Sequence, residues 1–194
     1  MRAGSVGLGA HGAPDRQDDD RPDMCYDGGQ NQYWVVWEEY TSATNSDCYL
    51  TSFTGAGTQG TSFPVEITSD SWITPKVAYH FGANRLLVVA EEDAAGSGSI
   101  QGQLVNASTR ALIGAQFQIS TCCFRKLHPD VGGNNWDSVV NSYFCVVWAF
   151  ENSTTDRDVQ YRIVDWDGSF VTNVTTVESS ADDTIHTTIS ETHG

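Results

Sequence analysis

One apolar segment of nine residues occurs three times in this chain of 194 residues. Each copy follows a segment that begins with proline, and the three prolines, Pro22, Pro75 and Pro129, lie 53 and 54 residues apart. A constant period of this size is typical of repeat proteins, in which every unit is one supersecondary structure. The sequence therefore predicts one array of three like units. The copies read QYWVVWEEY at 32–40, RLLVVAEED at 85–93 and YFCVVWAFE at 143–151.

Each unit is predicted to contain four short strands that form an antiparallel meander. The first strand is the proline-led segment, with proline at its first position, where the missing N–H costs no ladder hydrogen bond. The second strand is the apolar segment, and because its apolar run is continuous we expect both of its faces to be covered. Turns rich in glycine and asparagine separate the strands. The third and fourth strands are predicted at 48–53 and 63–68, at 100–105 and 117–120, and at 159–164 and 174–177.

The two ends of the chain match the repeat less well than its centre. Residues 1–21 match it poorly, although residues 5–10 could form one strand. Residues 185–190 are similar to another first strand. We therefore expect residues 187–194 to begin a fourth unit or to supply a closing strand. The three full units are predicted at 22–74, 75–128 and 129–186.

The middle copy carries the most complete pattern. In order, its motifs are PxVAY at 75–79, NxxLVV at 84–89, IxGQLV at 100–105 and FxIS at 117–120. This pattern resembles a β-propeller repeat common in large secreted and cell-surface proteins, and the resemblance covers about residues 20–190. It implies an all-β fold: a β-propeller-like array of four-stranded antiparallel blades, with three full repeats and a partial fourth. The chain departs from the pattern at Ala90, which replaces a tryptophan, and at Gly132-Gly133, which replace Ala-Tyr.

The number of blades implies an assembly. Closed propellers have about four to eight blades, so three and a fraction are too few for an ordinary ring. An open array leaves unpaired strand edges and an uncovered blade face, and both favour association. We therefore expect a homo-oligomer or a place in a larger multi-blade assembly.

Charge and composition limit the classes of partner that the protein is expected to bind. The net charge is −15, from 25 acidic and 10 basic residues, which argues against binding to nucleic acid or to anionic membrane surfaces. No apolar run approaches the roughly 20 residues that a membrane helix needs, and residues 1–20 lack the apolar core of a signal peptide. Three N-glycosylation sequons begin at Asn106, Asn152 and Asn173. They favour an extracellular or cell-surface location, with the signal peptide not present in this chain.

The cysteines leave two alternatives open. Five cysteines cannot all pair within one chain, and none has a CxxC metal spacing. They are either buried free thiols or form one or two disulfides in an oxidising compartment. A disulfide between Cys145 and either Cys122 or Cys123 is the pairing that a fold of the loop over the second strand would allow.

Acidic residues after the second strand are the first candidates for chemistry. A carboxylate pair such as Glu91 and Glu92 could serve glycoside hydrolysis. These acids recur, however, and a recurring acid is more typical of a strand end that meets solvent, so we predict no catalytic site. No cofactor is predicted, apart from a Ca²⁺ ion that Asp165 and Asp167 could bind. The alternative for this pair is an Asp-Gly hairpin turn, and the histidines show no metal-binding spacing.

Tryptophans in predicted loops are the candidates for sugar stacking. Trp72, Trp136 and Trp166 lie in such loops, whereas the tryptophans of the apolar segments are expected to pack between blades. The favoured function is a non-catalytic extracellular structural or adhesive repeat module. The alternative is a glycan-binding, lectin-like propeller. A glycoside hydrolase ranks last, because the Asp-box turns typical of sialidase-like propellers are absent from the sequence.

Overall fold

The computed structural model describes residues 22–42, 44–92, 98–120, 124–133, 138–180 and 187–189. Within these ranges the chain forms twelve strands and no helix. The strands are β1 (Asp23–Asp27), β2 (Gln32–Ser42), β3 (Asn45–Thr54), β4 (Phe63–Glu66), β5 (Trp72–His80), β6 (Arg85–Glu92), β7 (Ser99–Asn106), β8 (Leu112–Gln118), β9 (Lys126–Gly132), β10 (Tyr143–Ser153), β11 (Asp156–Asp165) and β12 (Thr175–Glu178). They form three four-stranded antiparallel sheets: sheet 1 from β1 to β4, sheet 2 from β5 to β8 and sheet 3 from β9 to β12. The all-β prediction is confirmed.

Each sheet is a meander, because consecutive strands pair antiparallel in every sheet. The turn before each second strand contains an asparagine in the left-handed region: Asn31 (φ 52°), Asn84 (φ 51°) and Asn141 (φ 59°). Asparagine tolerates this conformation better than most residues, since its short polar side chain can hydrogen-bond locally. Local turn chemistry therefore sets the first hairpin of each unit.

The prolines of the second and third units lie inside their strands, so the prediction that proline begins the strand is wrong there. Pro75 is the fourth residue of β5, and Pro129 is the fourth residue of β9. Each adjoins a register shift that inserts one extra residue into the pairing with the next strand. The residues before them, Thr74 (φ 50°) and His128 (φ 51°), have left-handed backbone. A bulge interrupts the ladder, and a proline there loses no regular hydrogen bond.

Sheet 2 lies between the other two sheets, and a hydrophobic core fills each interface. The second strand of sheet 2, β6, contributes to both. Leu86, Val88 and Ala90 belong to the core shared with sheet 1, and Leu87 and Val89 belong to the core shared with sheet 3. This alternation follows from the two-residue period of a strand. The expectation that both faces of the second strand are covered is correct for β6.

The same expectation is wrong for β2 and β10. In β2, Trp34 and Val36 are buried against sheet 2, but Trp37 on the opposite face is only half-buried. In β10, Trp148 is buried against sheet 2, whereas Val147 is half-buried on the opposite face. Within the described residues, sheets 1 and 3 form the two ends of the stack, so each has one face that no neighbouring sheet covers.

Candidate functional site

Glu38 and Glu91, the first of the recurring acids in units 1 and 2, are buried and not at the surface as the sequence suggested. Glu39 is exposed and Glu92 is half-buried. Glu38 accepts a hydrogen bond at its Oε2 from the backbone N–H of Thr74 at 2.8 Å. Glu91 forms an ion pair with Arg125, with 3.3 Å between Oε1 and Nη2. Both carboxylates thus bind the segment that leads into the next sheet. In the third copy the corresponding residue is Ala149. The repeated acid has the geometry of a connector between sheets.

A second pair of carboxylates repeats the same kind of contact between first strands. Asp23 in β1 accepts at Oδ2 from the backbone N–H of Val77 in β5 at 2.9 Å. Asp130 in β9 accepts at Oδ2 from the backbone N–H of Ile189 at 2.8 Å. Counted from Pro22 and Pro129, both acids are the first residue after proline. Sequence reasoning missed these residues, although the repeated Pro-Asp dipeptide was a signal that could have found them.

The segment 187–189 therefore sits on sheet 3 as β5 sits on sheet 1. The Thr187 hydroxyl also donates to the carbonyl oxygen of His128 at 3.1 Å. A Cβ added to Gly132 would lie 3.2 Å from Ile189 Cγ1, so glycine leaves the room that this side chain occupies. The N–H bond to Asp130 repeats the bond between β1 and β5. That residues 187–194 begin a fourth unit or supply a closing strand stays a prediction.

The first strands, Tyr33 of β2 and Ile189 line a partly open cavity of about 260 Å³. Its charged groups are Asp23, Lys76 and Asp130, with 3.6 Å between Lys76 Nζ and Asp23 Oδ1. Burial raises the pKa of Asp130, while the N–H groups of Ile189 and Val131 and the charge of Lys76 act to lower it. Every carboxylate here already accepts a backbone N–H bond. The polar groups of the cavity thus hold the strands around it.

Within the part of the chain that the structure describes, two sheet faces are not covered by a neighbouring sheet. On sheet 1 Met24 is 59 % exposed and Tyr33 39 % exposed. Trp37 stacks on Tyr49 with 5.9 Å between ring centroids and 21° between ring planes. These residues and Val35 make up the outer face of sheet 1. The outer face of sheet 3 consists of the half-buried residues Cys145, Val147, Tyr161 and Ile163, which strand pairing places side by side.

The three tryptophans predicted to contact glycans differ in where they lie in the structure. Trp72 lies in β5, not in a loop, and it is fully buried in the core between sheets 1 and 2, so that prediction is wrong. Trp166 lies in the turn after β11 and is half-buried. The Arg85 guanidinium lies 4.6 Å from the centre of its ring. Trp136 lies outside the described residues.

The sequons lie in three different settings. Asn106, half-buried at the end of β7, accepts at Oδ1 from the backbone N–H of Ser108 at 3.0 Å. Asn152 is exposed and donates from Nδ2 to Asp158 at 2.6 Å. Asn173 is exposed between β11 and β12. Glycosylation stays a prediction at all three.

The predicted calcium pair forms a tight turn. Asp165 accepts at Oδ1 from the N–H of Trp166 at 2.7 Å, and Asp167 accepts at Oδ1 from the N–H of Ser169 at 2.9 Å. The hydrogen bonds from Ser169 lower the pKa of Asp167. Gly168 has φ of 91°, as an Asp-Gly turn requires. Among the described residues no group of three or more His, Cys, Asp or Glu side chains is suited to hold a metal ion.

The described part of the predicted disulfide is Cys145, which is half-buried in the middle of sheet 3. Cys122 and Cys123 lie outside the described residues. The chain enters β9 at Lys126, which pairs with Phe150, while Cys145 pairs with Gly132 at the far end of β9. The disulfide stays a prediction.

A scan against protein-family models gives no match, and a search of curated proteins gives no significant match. In the ranges that the structure describes, no helix is long and apolar enough to span a membrane.

Proposed function

We propose that this protein is a non-catalytic extracellular structural or adhesive repeat module, whose stacked sheets continue in a β-propeller-like array with further sheets of the same kind. The observation that supports it most is the pair of open faces at the two ends of the stack. Each carries apolar residues at positions whose equivalents in other units are buried.

The equivalence can be followed residue by residue along the repeated segment. Tyr33, Val35 and Trp37 of the outer face of sheet 1 correspond in the third copy to Phe144, Val146 and Trp148. Those three residues are buried in the core between sheets 2 and 3. The outer face of sheet 1 therefore has the pattern of a face that receives a preceding sheet. Large exposed apolar faces of this kind are typical of interaction sites.

The outer face of sheet 3 has the complementary pattern. Cys145 and Val147 correspond to Trp34 and Val36, which pack on the following sheet in the first unit. Sheet 2 uses one face for the preceding sheet and the other for the following sheet, and the open faces of sheets 1 and 3 carry the same two patterns. Such a single direction of stacking is expected of propeller blades and of solenoid repeats.

The non-catalytic part of the proposal is supported by the roles of the repeated acids. Glu38 and Glu91 are buried and bind neighbouring segments, so neither is presented to a substrate. The extracellular part is supported by the three sequons, of which Asn152 and Asn173 are exposed. Repeat proteins commonly act through extended surfaces built by repetition.

The test is whether the purified chain assembles through these faces. Sedimentation velocity at 5 to 500 μM, about two decades of protein, should show a mass that grows with concentration. Beads coated with the protein should aggregate in the same buffer. The control variant is Leu112→Arg, because Leu112 is exposed on β8 at the rim of sheet 2, away from both outer faces. A single monomer boundary throughout, with dispersed beads, would contradict the proposal.

A glycan-binding role is the second candidate, and Trp166 supports it. This residue lies in a turn, is partly exposed, and has an arginine beside its ring. Aromatic rings in such positions are suited to stack on sugars, although Arg85 already occupies part of this ring. Glycan-array binding that is lost in Trp166→Ala would favour this function over the structural one.

A further inference from the structure

We propose that sheet 1 of a second copy of this chain docks on the outer face of sheet 3, head to tail, in the place now held by residues 187–189. This inference rests on the proposed function and names its partner and its direction. Three features of the internal interfaces lead to it: a repeated backbone contact, a repeated pairing of side-chain sizes, and a short segment that already mimics the docked strand.

The backbone contact is the bond between first strands. Asp23 accepts a hydrogen bond from the backbone N–H of Val77, which lies two residues after Pro75. Asp130 receives the N–H of Ile189, the corresponding residue of the partial fourth unit. In sheet 1 the corresponding residue is Met24, two residues after Pro22 and 59 % exposed. In a head-to-tail pair, the N–H of Met24 would take the place of the N–H of Ile189 at Asp130.

A large side chain faces a smaller one at each internal interface, and this pairing favours a second copy of this chain as the partner rather than an unrelated protein. The core between sheets 1 and 2 contains Trp34 from one face and Ala90 from the facing sheet. At the same two repeat positions, the core between sheets 2 and 3 contains Leu87 and Trp148. Each internal interface thus has one tryptophan and one smaller residue at this pair of positions.

The two open faces would form a third pair of the same kind. At these positions the outer face of sheet 3 has Cys145 and the outer face of sheet 1 has Trp37. The neighbouring positions hold valine in every case, with Val147 on sheet 3 and Val35 on sheet 1. Interiors tolerate exchanges that keep the total volume and the apolar pattern. The two outer faces therefore match each other as the internal faces do.

Residues 187–189 occupy only the place of one strand on sheet 3. Ile189 fills the space beside Gly132, while Cys145, Val147 and Ile163 stay half-exposed. A docked sheet would have to displace this segment and would cover the remainder of the face. The segment thus competes with the second copy. Weakening it should strengthen the association, a result that a purely local role of the segment does not predict.

The first experiment uses the full chain and sedimentation velocity in 150 mM salt, which screens the net charge of −15 to about 8 Å. Ile189→Asp removes the apolar contact of the segment and leaves both faces intact. We expect it to associate at least tenfold more tightly than the wild-type chain. Equal or weaker association of this variant would overturn the proposal.

The second experiment separates the two faces. Val35→Arg disables the outer face of sheet 1, and Val147→Arg disables the outer face of sheet 3. Arginine lowers the net negative charge, so added repulsion cannot explain a loss of association. Each variant alone should be monomeric, and their mixture should give a 1:1 complex and nothing larger, because one intact face of each kind remains. Leu112→Arg should behave as wild type.

The outcomes distinguish this inference from the proposed function. If the wild-type chain assembles but the mixture of Val35→Arg and Val147→Arg gives no complex, the head-to-tail geometry is wrong and the module function stands. If the loss occurs for one face only, like faces meet and the inference again falls. If the wild-type chain and Ile189→Asp are both monomeric, both proposals fall. Near-ultraviolet circular dichroism checks that each variant is folded, and Tyr33→Arg with Tyr161→Arg provides a second pair should either valine variant unfold.

Discussion

The contact between Glu38 and Thr74 allows a sharp prediction about what holds the sheets together. The Glu38 side chain is 2 % exposed and accepts the Thr74 N–H at 2.8 Å across the interface of sheets 1 and 2. Thr74 is itself buried and has left-handed backbone at the bulge of β5. Glu38→Ala leaves this N–H without its acceptor in a dry site. A buried unsatisfied donor costs about 1–3 kcal/mol, so we expect a loss of about 2 kcal/mol.

The chain provides a matched control one residue further on. Glu39 has the same chemistry but is exposed, so Glu39→Ala should change the free energy of unfolding by less than about 0.5 kcal/mol. Glu38→Gln keeps an acceptor oxygen and should lose less than Glu38→Ala. Urea unfolding followed by tryptophan fluorescence measures all three. With a slope of about 2 kcal/mol per molar urea, Glu38→Ala should lower the midpoint by about 1 M. Equal midpoints for Glu38→Ala and Glu39→Ala would refute the connector role.

Three further predictions follow from single sites. Because burial raises the pKa of Asp130, the folded state holds its proton to higher pH than the unfolded state does. This contribution to stability is therefore present at low pH and is lost as the pH rises from about 4 through the raised pKa. Between pH 4 and pH 7, the urea midpoint of Asp130→Asn should therefore rise relative to that of the wild-type chain. A difference in midpoint that stays constant with pH would contradict this. Trp72→Ala should lower the free energy of unfolding by about 3–5 kcal/mol, because it truncates a buried core side chain. Trp166→Ala should lower it by about 1 kcal/mol or less, the size of one partly exposed cation–π contact. Equal losses in thermal melts would contradict this difference in burial. Gly133→Ala should destabilise by about 1–3 kcal/mol, because its Cβ would clash with the backbone carbonyl of Tyr79. An unchanged melting temperature would refute this close approach.

The repeat period was enough to predict the number of sheets, their strand order and their antiparallel pairing. What it could not predict is which faces are covered, because the same apolar segment serves a middle sheet and an end sheet. Val88 and Val35 occupy the same repeat position, yet the first is fully buried and the second half-exposed. The difference comes from the neighbouring sheet and not from the strand itself, and β propensity depends on such context throughout.

The prolines show a second feature that the sequence alone could not predict. Placing proline at the start of a strand is the simplest way to avoid a lost hydrogen bond, and β1 follows it, since Pro22 directly precedes the strand. In β5 and β9 a bulge achieves the same end inside the strand. A bulge leaves little trace in a single sequence, because it depends on the register of the partner strand. For this reason the sequence predicts Trp72 in a loop, although it lies in β5.

The departure of the third unit at Gly133 has a structural cause. The residue takes the repeat position of Tyr26 and Tyr79, which carry large side chains. At Gly133 the backbone passes so close to the carbonyl oxygen of Tyr79 that no Cβ fits. Gly133 directly follows β9, and the interface between sheets 2 and 3 is closer at this point than a tyrosine would allow. Glycine commonly stands where another backbone approaches closely.

The repeated carboxylate also indicates that the interfaces within a chain should be stronger than the interface between two chains. Glu38 and Glu91 each bind the segment that leads into the following sheet. Ala149 takes their place in sheet 3, so a sheet docked there from a second copy would lack this buried bond. It would also have to displace residues 187–189. Association between chains should therefore be weaker than the stacking within a chain, so that dilution separates the copies while each keeps its own three sheets together.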